Sequence, residues 1–240
     1  MRSQHLVLAC GARPSHVGAH RPGDKEPVPS VNADELLRGR AFEAVEQALT
    51  RGPIAVVGAS HSAFSAVCFL LQRHGNRIPV GGIQVAHGGR PIALWWPSPQ
   101  SAVGLCASDL IDPHTGEVNK FSGLRGAARR MYLAMREGSE RRAELVHEPR
   151  EAALIVGATG YTANPPPITV ANGHGIRLDE YRGVVCKDGS TGALMSDGRP
   201  IAGMFGLGIG FADRQGETFE VGVNYFHGPS ADKVLHRILG

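Results

Sequence analysis

A short apolar run that ends at a glycine and continues directly as a helix is the feature that most constrains the fold. Residues 53–63 read PIAVVGASHSA, and an apolar segment over residues 64–71 follows without a linker. β-Branched residues favour a strand, and the glycine permits a tight turn. This strand–turn–helix arrangement directs backbone N–H groups and the positive end of a helix towards one point, which is a geometry that binds phosphate.

Strand and helix patterns alternate along the rest of the chain. Short buried-type runs at 6–9, 54–57, 83–85 and 153–156 alternate with helical spacing over 62–74 and from residue 124 onwards. Helical spacing over 34–49 is broken by Gly39, and a last helix is predicted over 230–239. This alternation predicts an α/β fold of the three-layer, Rossmann-like type with a parallel sheet.

Composition and charge exclude several classes of protein. The 240 residues are 42% hydrophobic and 20% charged, with a net charge of +3, which is ordinary for a globular chain. The basic stretch 125–150 also contains four glutamates and is not interleaved with an aromatic stacking platform, so we predict a solvated helix face and no nucleic-acid partner. No apolar run reaches about 18 residues, the length of a membrane span.

The N-terminus and the cysteines bear on location. The first residues are polar and lack the apolar core of a signal peptide, so we expect a cytoplasmic protein with no membrane partner. The four cysteines lie far apart and form no CxxC pair, so we expect reduced thiols, no disulfide framework and no metal site. They are Cys10, Cys68, Cys106 and Cys186.

The glycine turn matches the dinucleotide-binding fingerprint in two places out of three. That fingerprint requires small residues at the tight turn, at the closest approach of the pyrophosphate and at the helix–strand contact. These places hold Gly58, Ser60 and Ala63. Glycine at the first and alanine at the third fit, whereas Ser60 adds a side chain near the phosphate. A Rossmann-like turn that binds nothing is therefore the alternative.

The end of the following strand predicts which nucleotide is preferred. Dinucleotide sites that take NADH place an acidic residue there, but this chain has Ala86, His87 and Arg90. A cation would suit a 2′-phosphate, so NADPH is the cofactor expected at the residues Gly58, Ser60, His61, Ser62, Ala63 and Arg90. The alternative for Arg90 is a solvated loop arginine.

Other polar residues are weaker candidates. His61 lies in the turn and is the best-placed acid or base, although it could equally cap the helix or face solvent. Ser62 does not lie in the G-x-S-x-G elbow of a hydrolase. The segment DPHTGE over 112–117 is typical of a turn rather than of a metal site. Trp95 and Trp96 line a pocket or belong to the core.

Four segments together resemble a known family. They are LVLACGARP over 6–14, VVGASHSA over 56–63, IVGATGY over 155–161 and GMFGLG over 203–208. In this order they resemble FAD/NAD(P)-dependent flavoprotein oxidoreductases, and within them the flavin monooxygenase and N-hydroxylase branch. Ser62 and Ala63 match the end of that branch's NADPH turn, and 158–161 matches the strand end that returns to its FAD domain.

The resemblance implies three segments. Residues 1–50 would be a remnant strand of an FAD-type domain with a linker helix, 51–150 the NAD(P)-binding domain, and 151–240 a C-terminal remnant of the FAD-type domain. Before Leu6 we find no segment like the family's FAD-binding GxGxxG loop, and Ile209 stands where the family's late acid often lies, with Asp213 out of register. FAD binding without a partner chain is therefore not expected.

Three functions follow as hypotheses. The first is a truncated oxidoreductase component that binds NADPH, acts on a small-molecule substrate and works with a flavin held by a partner chain or a homo-oligomer. The second is a cofactor-independent cyclase, isomerase or lyase of specialised metabolism, with His61, Tyr161 and the two tryptophans in its cleft. The third is a non-catalytic partner of a full-length flavoprotein.

Overall fold

The computed structural model describes residues 4–15, 27–89, 92, 94–96, 110–111, 118–119, 123–170, 173–215, 218–220 and 228–239. The helices among them are α1 (Ala33–Leu37), α2 (Phe42–Ala48), α3 (His61–His74), α4 (Gly126–Arg136) and α5 (Pro229–Leu239). The strands are β1 (Leu6–Leu8), β2 (Ala12–Pro14), β3 (Ser30–Asn32), β4 (Ile54–Val57), β5 (Ile83–Ala86), β6 (Trp95–Trp96), β7 (Leu110–Ile111), β8 (Val118–Asn119), β9 (Ala143–Val146), β10 (Leu154–Gly157), β11 (Tyr161–Ala163), β12 (Ile168–Thr169), β13 (Gly175–Ile176), β14 (Glu180–Tyr181), β15 (Val184–Val185), β16 (Ala193–Ser196), β17 (Arg199–Gly206), β18 (Asp213–Gln215) and β19 (Thr218–Glu220).

The chain divides into two compact units. The sheet unit is Pro14–Gly160, and the terminal unit combines Met1–Arg13 with Tyr161–Gly240. This division differs from the predicted domain boundaries at residues 50 and 150. Strands β3 and β10 lie outside the predicted 51–150 domain, but both belong to the five-stranded sheet of the sheet unit. The FAD-type origin of the terminal unit stays a prediction.

A five-stranded parallel sheet forms the centre of the sheet unit. The strand order is β3-β10-β4-β5-β9, and every neighbouring pair is parallel. In the register Val56 lies between Val156 and Val85, so branched apolar residues meet across three strands. The predicted α/β class with a parallel sheet is confirmed.

Helix α3 packs on this sheet through one apolar face. Phe64, Val67 and Leu70 are fully buried in the same core as Ile54 and the other strand residues. Their spacing of three residues gives the helical stripe that the sequence indicates. The predicted interruption at Gly39 is also confirmed, because Gly39 takes a φ of +71° between α1 and α2.

The terminal unit is built on a smaller sheet of order β1-β17-β16, in which β1 is parallel and β16 antiparallel to β17. Its apolar core includes Leu8, Val185, Leu194 and Phe211. Gly206 is required here, since a Cβ on it would lie 2.6 Å from Cγ of Phe211. Among the described residues, no helix is long and apolar enough to cross a membrane.

Candidate functional site

The order of strands in the parallel sheet creates a crevice at its carboxyl edge. The chain runs from β4 through α3 to β5 on one side, whereas β10 lies against the other side of β4. The direction of winding therefore reverses between β4 and β10. In open α/β sheets, ligands bind outside the carboxyl ends of the strands at such a reversal.

Gly58 forms the turn at this crevice and lies tightly between two strand ends. Its φ is +148°, and a Cβ would overlap the carbonyl oxygen of Ala158 and lie 2.9 Å from the carbonyl carbon. The Gly58 N–H donates to the oxygen of Ala86 over 3.0 Å, and the Ala158 N–H donates to the oxygen of Val57 over 2.8 Å. Only glycine fits here, so the turn position predicted from the sequence has a structural cause.

The start of helix α3 presents donors that the helix itself does not use. Ser60 is the N-cap, with extended backbone and no side-chain capping bond, and no acidic residue occupies the first turn. By helix geometry the N–H groups of His61 and Ser62 have no acceptor within the helix. Ser60 and His61 are exposed, so these groups face solvent at the positive end of a 14-residue helix.

Ala63 plays a different part from these neighbours. Its N–H donates to the Ser60 oxygen over 3.0 Å, and its side chain is completely buried in the core of the sheet unit. The residue therefore fixes the helix against the strands, which is the packing role of the third fingerprint position.

Arg125 adds a positive charge beside this helix start. Partial burial lowers the pKa of His61, and the nearby Arg125 guanidinium lowers that pKa further. The guanidinium lies over the Trp95 ring, 5.1 Å from its centroid. The Trp95 carbonyl in turn accepts from Nη1 of Arg129 over 2.9 Å, which ties this aromatic platform to α4.

The sequence did not single out Arg125, because it opens a stretch whose mixed charges predict a solvated face. Its pairing with Trp95 joins residues thirty positions apart, and only the tertiary structure brings them together. The indole Nε1 of Trp95 is buried and finds no acceptor among the described residues. The side chain of Trp96, the segment 112–117 and Arg90 lie outside the described residues.

The predicted alternative site does not join these residues in one unit. Tyr161 begins β11 in the terminal unit, whereas His61 and Trp95 belong to the sheet unit. The described residues contain no group of three or more side chains arranged to hold a metal ion.

The terminal unit contains a buried charge cluster close to the end of β17. Asp213 is 6% exposed, and its carboxylate lies 2.7 Å from Nζ of Lys187 and 3.2 Å from Nζ of Lys233. The Lys187 ammonium also donates to Oγ of Ser230 over 3.2 Å. Burial lowers the pKa of Lys187, and the hydrogen bond to Asp213 opposes that shift. Both oxygens of the Asp213 carboxylate are thus engaged by lysines.

Comparison with known proteins adds a relative. No family model matches the chain. The CMP-5'-(3-aminopropyl)phosphonate hydroxylase of Streptomyces rubellomurinus is 30% identical over 182 residues, which cover 66% of this chain and 41% of that protein. This chain is a distant relative of that hydroxylase. The predicted resemblance to flavoprotein monooxygenases and N-hydroxylases is confirmed at this distance, and the matched region spans less than half of the relative.

Three solved structures are also similar, each at a TM-score below 0.5. The ornithine N-hydroxylase of Kutzneria sp. 744 with reduced FAD, NADP+ and L-ornithine gives a TM-score of 0.47 at 12% identity, covering 98% of this chain and 63% of that one. The NAD-dependent persulfide reductase of A. fulgidus gives 0.46 at 14%, covering 99% and 39%. The bacillithiol disulfide reductase of Bacillus cereus gives 0.43 at 12%, covering 97% and 62%. The sheet topology itself defines the fold.

Proposed function

We propose that the sheet unit binds NADPH across the carboxyl edge of its sheet and that the chain acts as a component of a flavoprotein-type oxidoreductase. The observation that carries this proposal is the Gly58 turn. It is wedged between the ends of β10 and β5, and it leads into an uncapped helix start beside Arg125. A turn, a set of unused N–H donors and a cation at one reversal point favour a pyrophosphate.

Each residue at this edge has a defined part in the proposal. Gly58 makes the turn, and the N–H groups of His61 and Ser62 donate to the pyrophosphate. The Ser60 hydroxyl makes no capping bond, so it too can donate. Arg125, held over Trp95, supplies charge without having to be ordered on binding. Arg90 remains a predicted contact to the 2′-phosphate.

His61 contributes a hydrogen bond rather than a full charge in the free protein. Its lowered pKa keeps the imidazole neutral at pH 7, and a pyrophosphate at the helix start would raise that pKa again. Binding therefore takes up protons to a small extent. No acid or base on this chain is needed for hydride transfer, because a bound nicotinamide supplies that chemistry to a flavin.

The flavin in this proposal is held elsewhere, by a partner chain or a second copy. The support is the state of Asp213, the acid nearest the end of β17, which is enclosed by Lys187 and Lys233. A carboxylate that is buried and already engaged by two ammonium groups is poorly placed to accept a hydrogen bond from a ribityl hydroxyl.

Calorimetric titration of the full chain with NADPH tests the proposal. We expect saturable binding, and the absence of binding at millimolar NADPH would overturn it and leave the cofactor-independent enzyme in its place. Ser60→Asp places a carboxylate at the pyrophosphate and should weaken binding at least about fivefold, while aspartate remains a good N-cap.

Ser139→Asp is the matched control. Ser139 is exposed beyond the end of α4, so the variant changes net charge equally without approaching the helix start. Equal losses for the two variants would show a general charge effect and contradict a site at α3. NADPH oxidation that appears only when an FAD-containing protein is added would support the flavin step.

A further inference from the structure

The two outer edges of the sheet in the terminal unit differ in how they are covered. Strand β16 forms one edge, and a further stretch of backbone is bonded to its outer side. There the Met195 N–H donates to the Cys186 oxygen over 3.1 Å, and the Asp188 N–H donates to the Ala193 oxygen over 2.8 Å. Strand β1 forms the other edge, and among the described residues no strand pairs with its outer side.

The carbonyl groups along β1 show which of its residues face outwards. The Leu8 oxygen accepts the Leu207 N–H over 2.9 Å, so it points towards β17. The Gln4 oxygen points the same way, because a Cβ on Gly203 of β17 would lie 2.5 Å from it. Successive residues of a strand direct their N–H and C=O groups to alternate sides. The N–H and C=O of Val7 therefore point away from the sheet.

The side chains of this edge are those of a strand with neighbours on both sides. Leu6 is 44% exposed and Val7 is 38% exposed, although their partners in register on β17 are the buried Met204 and Phe205. Edge strands that stay unpaired are commonly protected by lysine, proline or a bulge. The segment 4–9 reads QHLVLA and contains no charged residue other than a histidine and no proline, and its register with β17 is continuous.

We infer that β1 is the contact surface between two copies of this chain, which pair antiparallel about a twofold axis at Val7. The outward N–H and C=O of Val7 then exchange two hydrogen bonds with the partner's Val7. Leu6 lies opposite the partner's Leu8, which covers the more exposed of the two side chains. The two three-stranded sheets become one sheet of six strands. This inference does not depend on NADPH binding.

The properties of the edge favour a second copy as its partner. A twofold interface brings one surface against itself, so that surface must be compatible with itself. Like charges directly opposite each other would oppose such pairing, and segment 4–9 has no lysine, arginine or carboxylate to place there. A contact made by one short strand from each copy falls below about 1,200 Å² of total buried area, the class of weak complexes. The dimer is therefore concentration-dependent.

Sedimentation equilibrium of the full chain, without added nucleotide, tests the inference. The protein is examined from about 5 µM to about 500 µM, a range suited to a weak complex, and we expect monomer at the low end and dimer at the high end. Val7→Lys should raise the dimer dissociation constant at least about tenfold, because it places two like charges at the axis. Val7→Pro should do the same, since it removes an N–H that β17 does not use.

Val80→Lys is the matched control. Val80 is 67% exposed in the sheet unit, so this variant makes the same change of charge away from β1 and should leave the dissociation constant as it is. Thermal unfolding followed by circular dichroism checks that the Val7 variants are folded.

Amide hydrogen exchange of the wild type gives a second readout that needs no variant. Exchange of the Val7 amide should slow as the protein concentration rises, whereas exchange of the Leu8 amide, which points towards β17, should not change. A chain that stays monomeric throughout would overturn the inference. So would a dissociation constant that is the same for the wild type and Val7→Lys, or growth into assemblies larger than a dimer, because twofold pairing uses both edges. None of these results bears on the proposed function.

Discussion

Basic side chains gather at two places in this molecule, and they are held in opposite ways. In the terminal unit, Lys187 and Lys233 share the carboxylate of Asp213, and Lys187 is almost completely buried. In the sheet unit, Arg125 lies beside His61 at the start of α3, and within the described residues neither is paired with a carboxylate.

The difference is that one charged group is paired inside the protein, whereas the other lies exposed at the start of a helix. The charge of Lys187 is satisfied inside the protein, so its removal would leave a buried carboxylate short of a partner. The charge at the start of α3 is added to a helix dipole and to unused N–H groups, so it is available to an anion from outside. Basic side chains thus stabilise the terminal unit, and in our proposal they prepare the sheet unit to bind an anion.

The largest effect is expected when the buried charge cluster of Lys187, Asp213 and Lys233 is broken. Lys187→Met should lower the free energy of unfolding by about 3–5 kcal/mol, because Asp213 stays buried after losing the shorter of its two lysine contacts. Urea unfolding followed by circular dichroism measures the loss. Lys233→Met is the matched control and should cost about 1 kcal/mol or less.

A double variant sharpens this result. Lys187→Met with Asp213→Leu removes both members of the buried pair, and it should recover much of the lost stability. If the double variant were less stable than Lys187→Met alone, the carboxylate would have a structural role independent of the lysine.

The second effect concerns the Gly58 turn, which positions the proposed anion site. Gly58→Ala should cost about 3 kcal/mol, because the new Cβ meets the Ala158 carbonyl and the backbone holds a conformation unsuited to alanine. Both tryptophans of the chain lie in the sheet unit, so tryptophan fluorescence during unfolding reports on this unit. We also expect the variant to bind no NADPH.

Gly52→Ala provides the comparison for that variant. Gly52 precedes the same strand, and a Cβ there would meet only the Ala153 Cβ at 3.7 Å, an ordinary contact. Its effect should stay within about 0.5 kcal/mol. If both alanine variants lost the same free energy of unfolding, any substitution near this strand would be destabilising. The close approach of the Ala158 carbonyl to Gly58 would then not explain the loss.

The smallest effect is the pH dependence contributed by His61. Its pKa is lowered in the folded protein, so below the ordinary value of 6.5 the unfolded chain binds the proton more readily. Stability is therefore unaffected at pH 8 and falls as the pH drops through 6.5 towards the folded pKa. Since His61 is an exposed residue whose ring is only partly buried, the change should be well below about 1 kcal/mol.

Comparing the wild type with His61→Gln measures this term. The difference in unfolding free energy between the two proteins should be constant above pH 7.5 and should shift in favour of the variant at pH 5.5. A shift in favour of the wild type would mean that protonated His61 finds a partner, and it would contradict the contrast between the two basic groups.

Much of the sheet unit could be predicted from the sequence, because the strands and helices that its local sequence patterns favour are the ones that the folded unit contains. The strand over 54–57, the break at Gly39 and the helix that ends at His74 follow from β-branched runs, glycine and apolar spacing. The motif identified Gly58 as the turn position. Glycine is required there because the Ala158 carbonyl lies against it, and no local pattern indicates this contact with a residue a hundred positions later.

The sequence determined the α/β class, the parallel sheet and the position of the phosphate-type turn, since these depend on short-range patterns that hold wherever they occur. Only the tertiary structure decided which distant residues meet at the sheet edge and which basic groups are satisfied. Strand order and register brought His87 to His147, and side-chain packing brought Arg125 to Trp95. Such pairs carry no local signal, because their partners are separated by dozens of residues and are joined only when the sheet forms.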